Sequence, residues 1–263
     1  MLGDMTDIAT QAAELKRLHA APELLTVINV WDVISAKVVA DIPGTTALAT
    51  ASHSIAASRG YDDGEIIGLG EMIEECRRIA AAVELPVTAD LEAGYGNAAE
   101  AVRRVIGVGV VGANIEDQLK PVAEATAQVE AIMAAADAEG VPDFVLNART
   151  DAFVRAGDRD PDEVLADATE RARAYVDAGA PVVFVPGKLD EVQIAHLVDV
   201  LGPQRLTLIG VPGSVALGRL QELGIARVSY GPWSQRVALT ALAELVEDVH
   251  AGGGLPNGVR ALN

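Results

Sequence analysis

Eight short apolar runs punctuate the chain, each followed by a polar break and then by a segment with helical spacing. The runs are Leu24–Trp31, Thr45–Ala51, Leu85–Glu92, Gly112–Asp117, Asp143–Thr150, Pro181–Gly187, Arg205–Pro212 and Ala226–Gly231. Near-continuous stretches such as Pro181-Val-Val-Phe-Val and Leu206-Thr-Leu-Ile suit strands covered on both faces, where an alternating pattern would bury polar groups. Helical spacing covers Val33–Asp41, Glu65–Val83, Ala98–Ile106, Ala125–Glu139, Pro161–Ala178, Glu191–Leu201, Val215–Leu223 and Ser234–Ala251. Asp160 before Pro161 marks a helix start, since proline needs no amide partner in the first turn. Gly179, Gly202 and Gly224 stand where helices must end in a left-handed residue. An eightfold β-then-α repeat without a linker predicts an α/β fold, a closed (β/α)8 TIM barrel, as a single domain over residues 1–263. An open doubly wound sheet is the alternative. Thr6–His19 reads as an extra N-terminal helix that closes the barrel's bottom.

Charge narrows the partners. Twenty Lys and Arg against 38 Asp and Glu leave a net charge of −18. So acidic a surface repels nucleic acid backbones and anionic membranes. A small anionic substrate is still admitted, because a local field can oppose the global one. Cys76 is the sole cysteine, which excludes an intramolecular disulfide and a Cys-based zinc cluster. Met1–Ala20 lacks the apolar stretch of a signal peptide, and no run is apolar enough to span a bilayer. The expectation is a soluble, cytoplasmic protein.

In barrels of this kind chemistry sits where the strands end. Asp90 and Glu92 are two apart on one strand and share a face, and Glu116 ends the neighbouring strand. Three converging acids repel one another unless they are protonated or hold a cation. Oxygen donors without clustered Cys or His suit Mg²⁺, with Mn²⁺ as the other choice. The plainer reading makes them solvated loop residues or helix caps. Arg149 emerges from a buried strand and needs an anion, either a ligand's carboxylate or phosphate or the side chains of Glu116 or Asp151. Ser52-His53-Ser54 lacks the setting of a serine nucleophile, and its amides and hydroxyls suit an anion instead. Gly107-Val-Gly109-Val-Val-Gly112 spells a dinucleotide fingerprint, but it closes a helix rather than opening one, so a cap and a tight turn are expected. Cys76 falls within a helical segment and reads as packing.

Asp90-Leu-Glu92-Ala-Gly94-Tyr95-Gly96-Asn97, Asn114-Ile-Glu116-Asp117 and Asn147-Ala148-Arg149-Thr150-Asp151 resemble the isocitrate lyase/phosphoenolpyruvate mutase superfamily. Arg171–Ala180 and Asn29-Val-Trp31-Asp32 are similar too, so the likeness extends from Leu24 to Leu245. The resemblance implies a (β/α)8 barrel, Mg²⁺, and a homo-oligomer, a dimer or a tetramer that exchanges its eighth helix. It places Mg²⁺ on Asp90, with Glu92 and Glu116 holding its waters and Asp63 nearby. Arg149, Glu116 and Asp63 become the catalytic candidates, and Trp31, Ser52, His53, Asp90 and Arg149 the substrate-binding ones. The family's lyases carry a Cys- and His-bearing loop after the fourth strand. Here Asp117 is followed by Gln118-Leu-Lys120-Pro-Val-Ala-Glu124, and the sixth strand ends in Pro186 where a phosphonopyruvate site uses His. The retained residues point to a C–C lyase of 2-oxo or 2-hydroxy di- or tricarboxylic acids, oxaloacetate-like ones first, acting through a pyruvate-type enolate. A P–C bond enzyme, mutase or hydrolase, and a barrel kept for binding without turnover are the alternatives.

Overall fold

A computed structural model describes residues 5–262. In chain order its first elements are α1 (Met5–Ala20), β1 (Leu25–Val27), β2 (Asn29–Val30), α2 (Val33–Ala40), β3 (Leu48–Thr50), α3 (Ser52–Ser58), α4 (Leu69–Ala80), β4 (Val87–Asp90) and α5 (Ala98–Ile106). They continue with β5 (Gly112–Glu116), α6 (Val122–Ala138), β6 (Val145–Arg149), α7 (Pro161–Asp177), β7 (Val182–Phe184), α8 (Glu191–Leu201), β8 (Leu206–Ile209), α9 (Leu217–Glu222), β9 (Arg227–Ser229) and α10 (Trp233–His250). Every strand pairing is parallel, in the order β1-β9-β8-β7-β6-β5-β4-β3-β2. The two ends of that order are one apolar run broken at Ile28, so the sheet closes on itself. β1 pairs Leu25 with Arg227, and β2 pairs Asn29 with Ala49. Asn29 bridges the seam beyond the break: its Oδ1 accepts the amides of Tyr230 and Gly231, each at 2.8 Å. The TIM barrel is present, and the open sheet is not.

Burial on both faces explains the continuous apolar runs. Every residue of β3 and of β7 is buried, between barrel interior and helix layer. Asn114, Asn147 and Thr207 pair with one another inside the barrel, as buried polar groups usually do, whereas the Arg227 guanidinium on β9 is buried with no hydrogen-bond partner among the described residues. Thr207 Oγ1 donates to Asn147 Oδ1 at 2.7 Å, and Asn147 Nδ2 to Asn114 Oδ1 at 2.7 Å. This rung ties β5, β6 and β8 together beneath the strand ends.

α1 lies across the N-terminal ends of the strands, as expected from the Thr6–His19 segment. Gln11 Nε2 donates to Glu84 O ahead of β4, and Lys16 reaches Asp143 ahead of β6. Gly112 opens β5 directly under Leu15; a Cβ there would sit 2.9 Å from Leu15 Cδ2 and 2.8 Å from Val145 O. That close approach, not nucleotide binding, explains the last glycine of the fingerprint-like run. Gly107 caps α5, as the cap-and-turn reading expects. Gly179, Gly202 and Gly224 all have positive φ at helix ends, and the Asp160 side chain caps α7 ahead of Pro161.

His19, at the end of α1, is buried with Nδ1 2.8 Å from Leu15 O. A carbonyl only accepts, so Nδ1 carries the proton. Burial holds this histidine down to about 3, and the charge of Arg227 adds to the effect. The unfolded chain therefore binds a proton below about 6.5 that the folded chain refuses, so stability falls as pH drops through that window. Between pH 7.5 and 4.5, wild type is expected to lose about 3 kcal/mol more than His19→Gln. Denaturant midpoints of the two proteins at both pH values check this; equal losses would contradict it.

Two boundaries differ from the sequence reading. The stretch after β3 is the short helix α3, not a loop, so Ser52 and His53 open a helical turn. α4 begins at Leu69 and not at Glu65, because Glu65 is held at φ 64 and Gly68 is still extended. Cys76 lies fully buried in α4, where burial pushes its thiol up to about 12. Packing is its role, as expected. Among the described residues no helix is long and apolar enough to cross a membrane.

Candidate active site

β4, β5 and β6 end side by side, and the last residue of each carries the charge predicted for it. Register places Asp90 beside Asn114 and Glu116 beside Arg149. Cross-strand neighbours on one face meet directly, and Arg149 Nη1 lies 2.8 Å from Glu116 Oε2. Arg149 Nε also donates to Asp151 Oδ1 at 2.8 Å, and the Asp151 side chain is wholly buried. Arg155 adds a second cation to Asp151, at 3.1 Å from Oδ2. Both protein partners that the sequence offered Arg149 are thus engaged.

Asp90 is fixed by its neighbours. Its Oδ2 accepts Ser52 Oγ at 2.8 Å and Ser52 N at 3.2 Å, while its own amide donates to Thr50 Oγ1 at 2.9 Å. Oδ1 accepts nothing from the described residues. The Ser52 amide, expected to face a substrate carboxylate, is instead spent on Asp90. His53 and Asp63 meet at the exposed rim, Nδ1 to Oδ2 at 3.5 Å. Trp31 is half-buried against the core beside the α2 capping box of Asp32 and Ser35.

Glu92 stands apart from this description of a simple acidic cluster. Its φ of 51 turns the side chain toward the loop before α4. There it accepts the Glu65 amide on Oε2 and the Tyr95 hydroxyl on Oε1, the latter at 3.1 Å. Burial, opposed by these bonds and reinforced by Asp90 and Asp63, pushes the Glu92 carboxyl up to about 7. Glu116 is also pushed up to about 7 by burial, against the pull of Arg149 and with the push of Asp151 and Asp90. Asp90, Glu92 and Glu116 therefore do not converge as three direct ligands. Among the described residues no three His, Cys, Asp or Glu side chains form a group that could hold a metal. Glu92 is bonded to Glu65 and Tyr95, and Glu116 to Arg149.

The donor chemistry still fits a hydrated ion. Mg²⁺ keeps several waters and needs only one or two direct carboxylates. Asp90 offers a free oxygen, and its charge raises the proton affinity of both Glu92 and Glu116. A divalent cation among these acids would relieve that repulsion.

Beneath the site, the loop after β5 is pinned. Asp117, buried, accepts Leu119 N at 2.9 Å, Asp151 N at 3.0 Å, Arg171 Nη1 at 3.1 Å and Tyr175 OH at 2.6 Å. Arg171 also donates to Lys120 O at 2.8 Å. With Gln118 and Leu119 both at positive φ, the segment is a tight turn into α6. Sequence reasoning assigned no role to Glu65, Tyr95 or Arg155. Only the four-residue spacing of Arg171 and Tyr175, one helical turn apart, hinted that both reach a single partner.

A family model described as Phosphoenolpyruvate phosphomutase matches residues 15–250. The chain belongs to this family. It is thereby an enzyme of the isocitrate lyase/phosphoenolpyruvate mutase type. A Burkholderia cenocepacia J2315 structure provisionally assigned as a phosphonomutase superposes with TM-score 0.85 at 39% identity, covering 91% of this chain and 98% of that one. The 2-methylisocitrate lyase of Escherichia coli K12 is 34% identical over 74% of this chain and 69% of its own length. An oxaloacetate decarboxylase of Ectopseudomonas mendocina is 30% identical over 84% of this chain and 78% of its own.

Proposed function

We propose that this barrel cleaves a C–C bond of a 2-oxo or 2-hydroxy di- or tricarboxylic acid through a pyruvate-type enolate, with oxaloacetate-like substrates first. The supporting observation is the partly buried Arg149–Glu116 pair in register at the strand ends, one strand from an Asp90 that Ser52 fixes through Oδ2 and whose Oδ1 accepts nothing from the described residues. When a 2-oxo acid loses its β-carboxylate, the C–C electron pair moves into the enolate and charge develops on the former carbonyl oxygen. Arg149, preorganised by Glu116 and Asp151, supplies positive potential there without rearranging. Glu116, at about 7, can hold or release a proton at its carboxyl beside that charge. Asp90 would hold Mg²⁺ or Mn²⁺ directly, with Glu92 and Glu116 on its waters, and the ion would supply Lewis-acid stabilisation. Trp31, His53 and Asp63 border the mouth and contact substrate in this reading. The turn at Asp117–Pro121 offers no Cys or His as an acid for a departing group. Decarboxylation needs none, since carbon dioxide leaves unprotonated.

Purified protein incubated with Mg²⁺ and oxaloacetate, methylisocitrate or phosphonopyruvate is expected to release pyruvate from one of the first two without phosphate. EDTA should abolish the activity and Mn²⁺ restore it. Phosphate release would favour P–C chemistry, and no turnover would favour a binding barrel.

The same reading extends to assembly as a homo-oligomer. Of α10's described side chains only Gln235 is buried, while Val237, Leu239, Leu242 and Val246 are exposed. An apolar groove of about 350 Å³ lined by Val211, Pro212, Leu217, Tyr230 and Trp233 lies at the helix base. Exchange of α10 between copies would cover both surfaces. Light scattering should give a mass of two or four chains of 27.3 kDa, and Leu242→Glu should lower it.

A further inference from the structure

Two loops of the mouth are joined by a closed ring of hydrogen bonds that centres on Glu65. The Glu65 amide donates to the Glu92 carboxylate, the Tyr95 hydroxyl donates to the same carboxylate at 3.1 Å, and the Tyr95 amide donates back to Glu65 Oε1 at 2.6 Å. All three residues occupy the left-handed region, with φ of 64, 51 and 54. Side chains that large persist there only where their surroundings over-determine them, and such strain gathers at functional sites. The turn cannot relax by itself. Gly94, at φ 91, packs so tightly on α5 that a Cβ would lie 2.5 Å from that of Ala98.

The ring also fixes what precedes Glu65. Only Gly64 separates Asp63, in contact with His53, from the Glu65 ring, and Ile67, fully buried, anchors the far end. Without the Glu65 carboxylate, the Tyr95 amide loses its acceptor and Glu92 keeps only donors that are themselves no longer held. We propose that Glu65 is a positioning residue: its carboxylate, by accepting the Tyr95 amide, holds the Asp63 loop and the Glu92 side chain in place at the active-site mouth. The inference rests on the mouth being the active site, but the latch itself has a readout that needs no turnover.

The test compares Glu65→Ala, Glu65→Gln and Tyr95→Phe with wild type by amide hydrogen exchange, thermal midpoint and steady-state kinetics on oxaloacetate with Mg²⁺. Glu65→Gln keeps a carbonyl oxygen for the Tyr95 amide. Tyr95→Phe removes only the hydroxyl arm and serves if the alanine variant does not fold. In Glu65→Ala, exchange at Tyr95 and through 62–66 should rise about 10-fold or more. Its kcat should fall about 10-fold with KM changing less, because misplaced groups cost rate. Glu65→Gln should stay near wild type on both counts. Wild-type exchange in Glu65→Ala, or a glutamine variant as impaired as the alanine one, would overturn the proposal. If wild type itself turns over no oxaloacetate, the functional reading fails while the exchange result still decides the latch.

Discussion

Arg149→Met is expected to lower kcat/KM for the cleaved oxo acid by roughly 10²–10³, the loss seen when one preorganised donor to a developing oxyanion is removed. Lysine should not rescue it. The guanidinium meets Glu116 and Asp151 through two different nitrogens, each contact at 2.8 Å, and an ammonium cannot span both in that planar geometry. The fold should survive the methionine change. Glu116, already lifted by burial, loses the cation that pulls it down and becomes the neutral acid over more of the pH range. Steady-state kinetics beside an unchanged circular dichroism spectrum check the prediction. Activity within threefold of wild type would remove Arg149 from the chemistry.

The largest effect on stability is expected at Asp117. Alanine there leaves the Arg171 guanidinium, the Tyr175 hydroxyl and the amides of Leu119 and Asp151 without the acceptor they share. Breaking a buried ion pair from one side costs about 3–5 kcal/mol. In a chain of this size that lowers the thermal midpoint by roughly 10 °C. Asp117→Asn keeps the Oδ1 acceptor for both amides and should lose about half as much. Calorimetry on both variants checks the order, and a shift in Asp117→Ala below about 2 °C would contradict it.

The two residues show which parts of the molecule the sequence carries openly. Arg149, Glu116 and Asp90 were legible because strand ends are fixed by a local pattern: a buried apolar run, then a charge that cannot stay buried unpaired. The barrel was legible for the same reason, repeated around the ring, and even the N-terminal plug followed from one helical segment. Glu65 was not legible. Its partner amide lies thirty residues on, at Tyr95, and neither residue's conformation follows a periodic rule. Helical spacing even drew Glu65 into α4, since an apolar period does not register a left-handed residue. The direction of Glu92 was missed for a related reason. Period-two alternation places it on the face of Asp90 only while the strand continues, and β4 ends at Asp90. Ser52 was read as loop because seven residues of helix carry too little periodicity to stand out.

Oxalate, planar and doubly charged, resembles the enolate that the mouth is proposed to stabilise. The most direct measurement is its binding by calorimetry in the presence of Mg²⁺ and then of EDTA, in wild type and in Asp90→Ala. Micromolar binding to wild type with Mg²⁺, lost with EDTA and lost in Asp90→Ala, is the expected result. Oxalate bound equally well without the metal, or by Asp90→Ala as by wild type, would contradict an enolate site built on Asp90 and its cation.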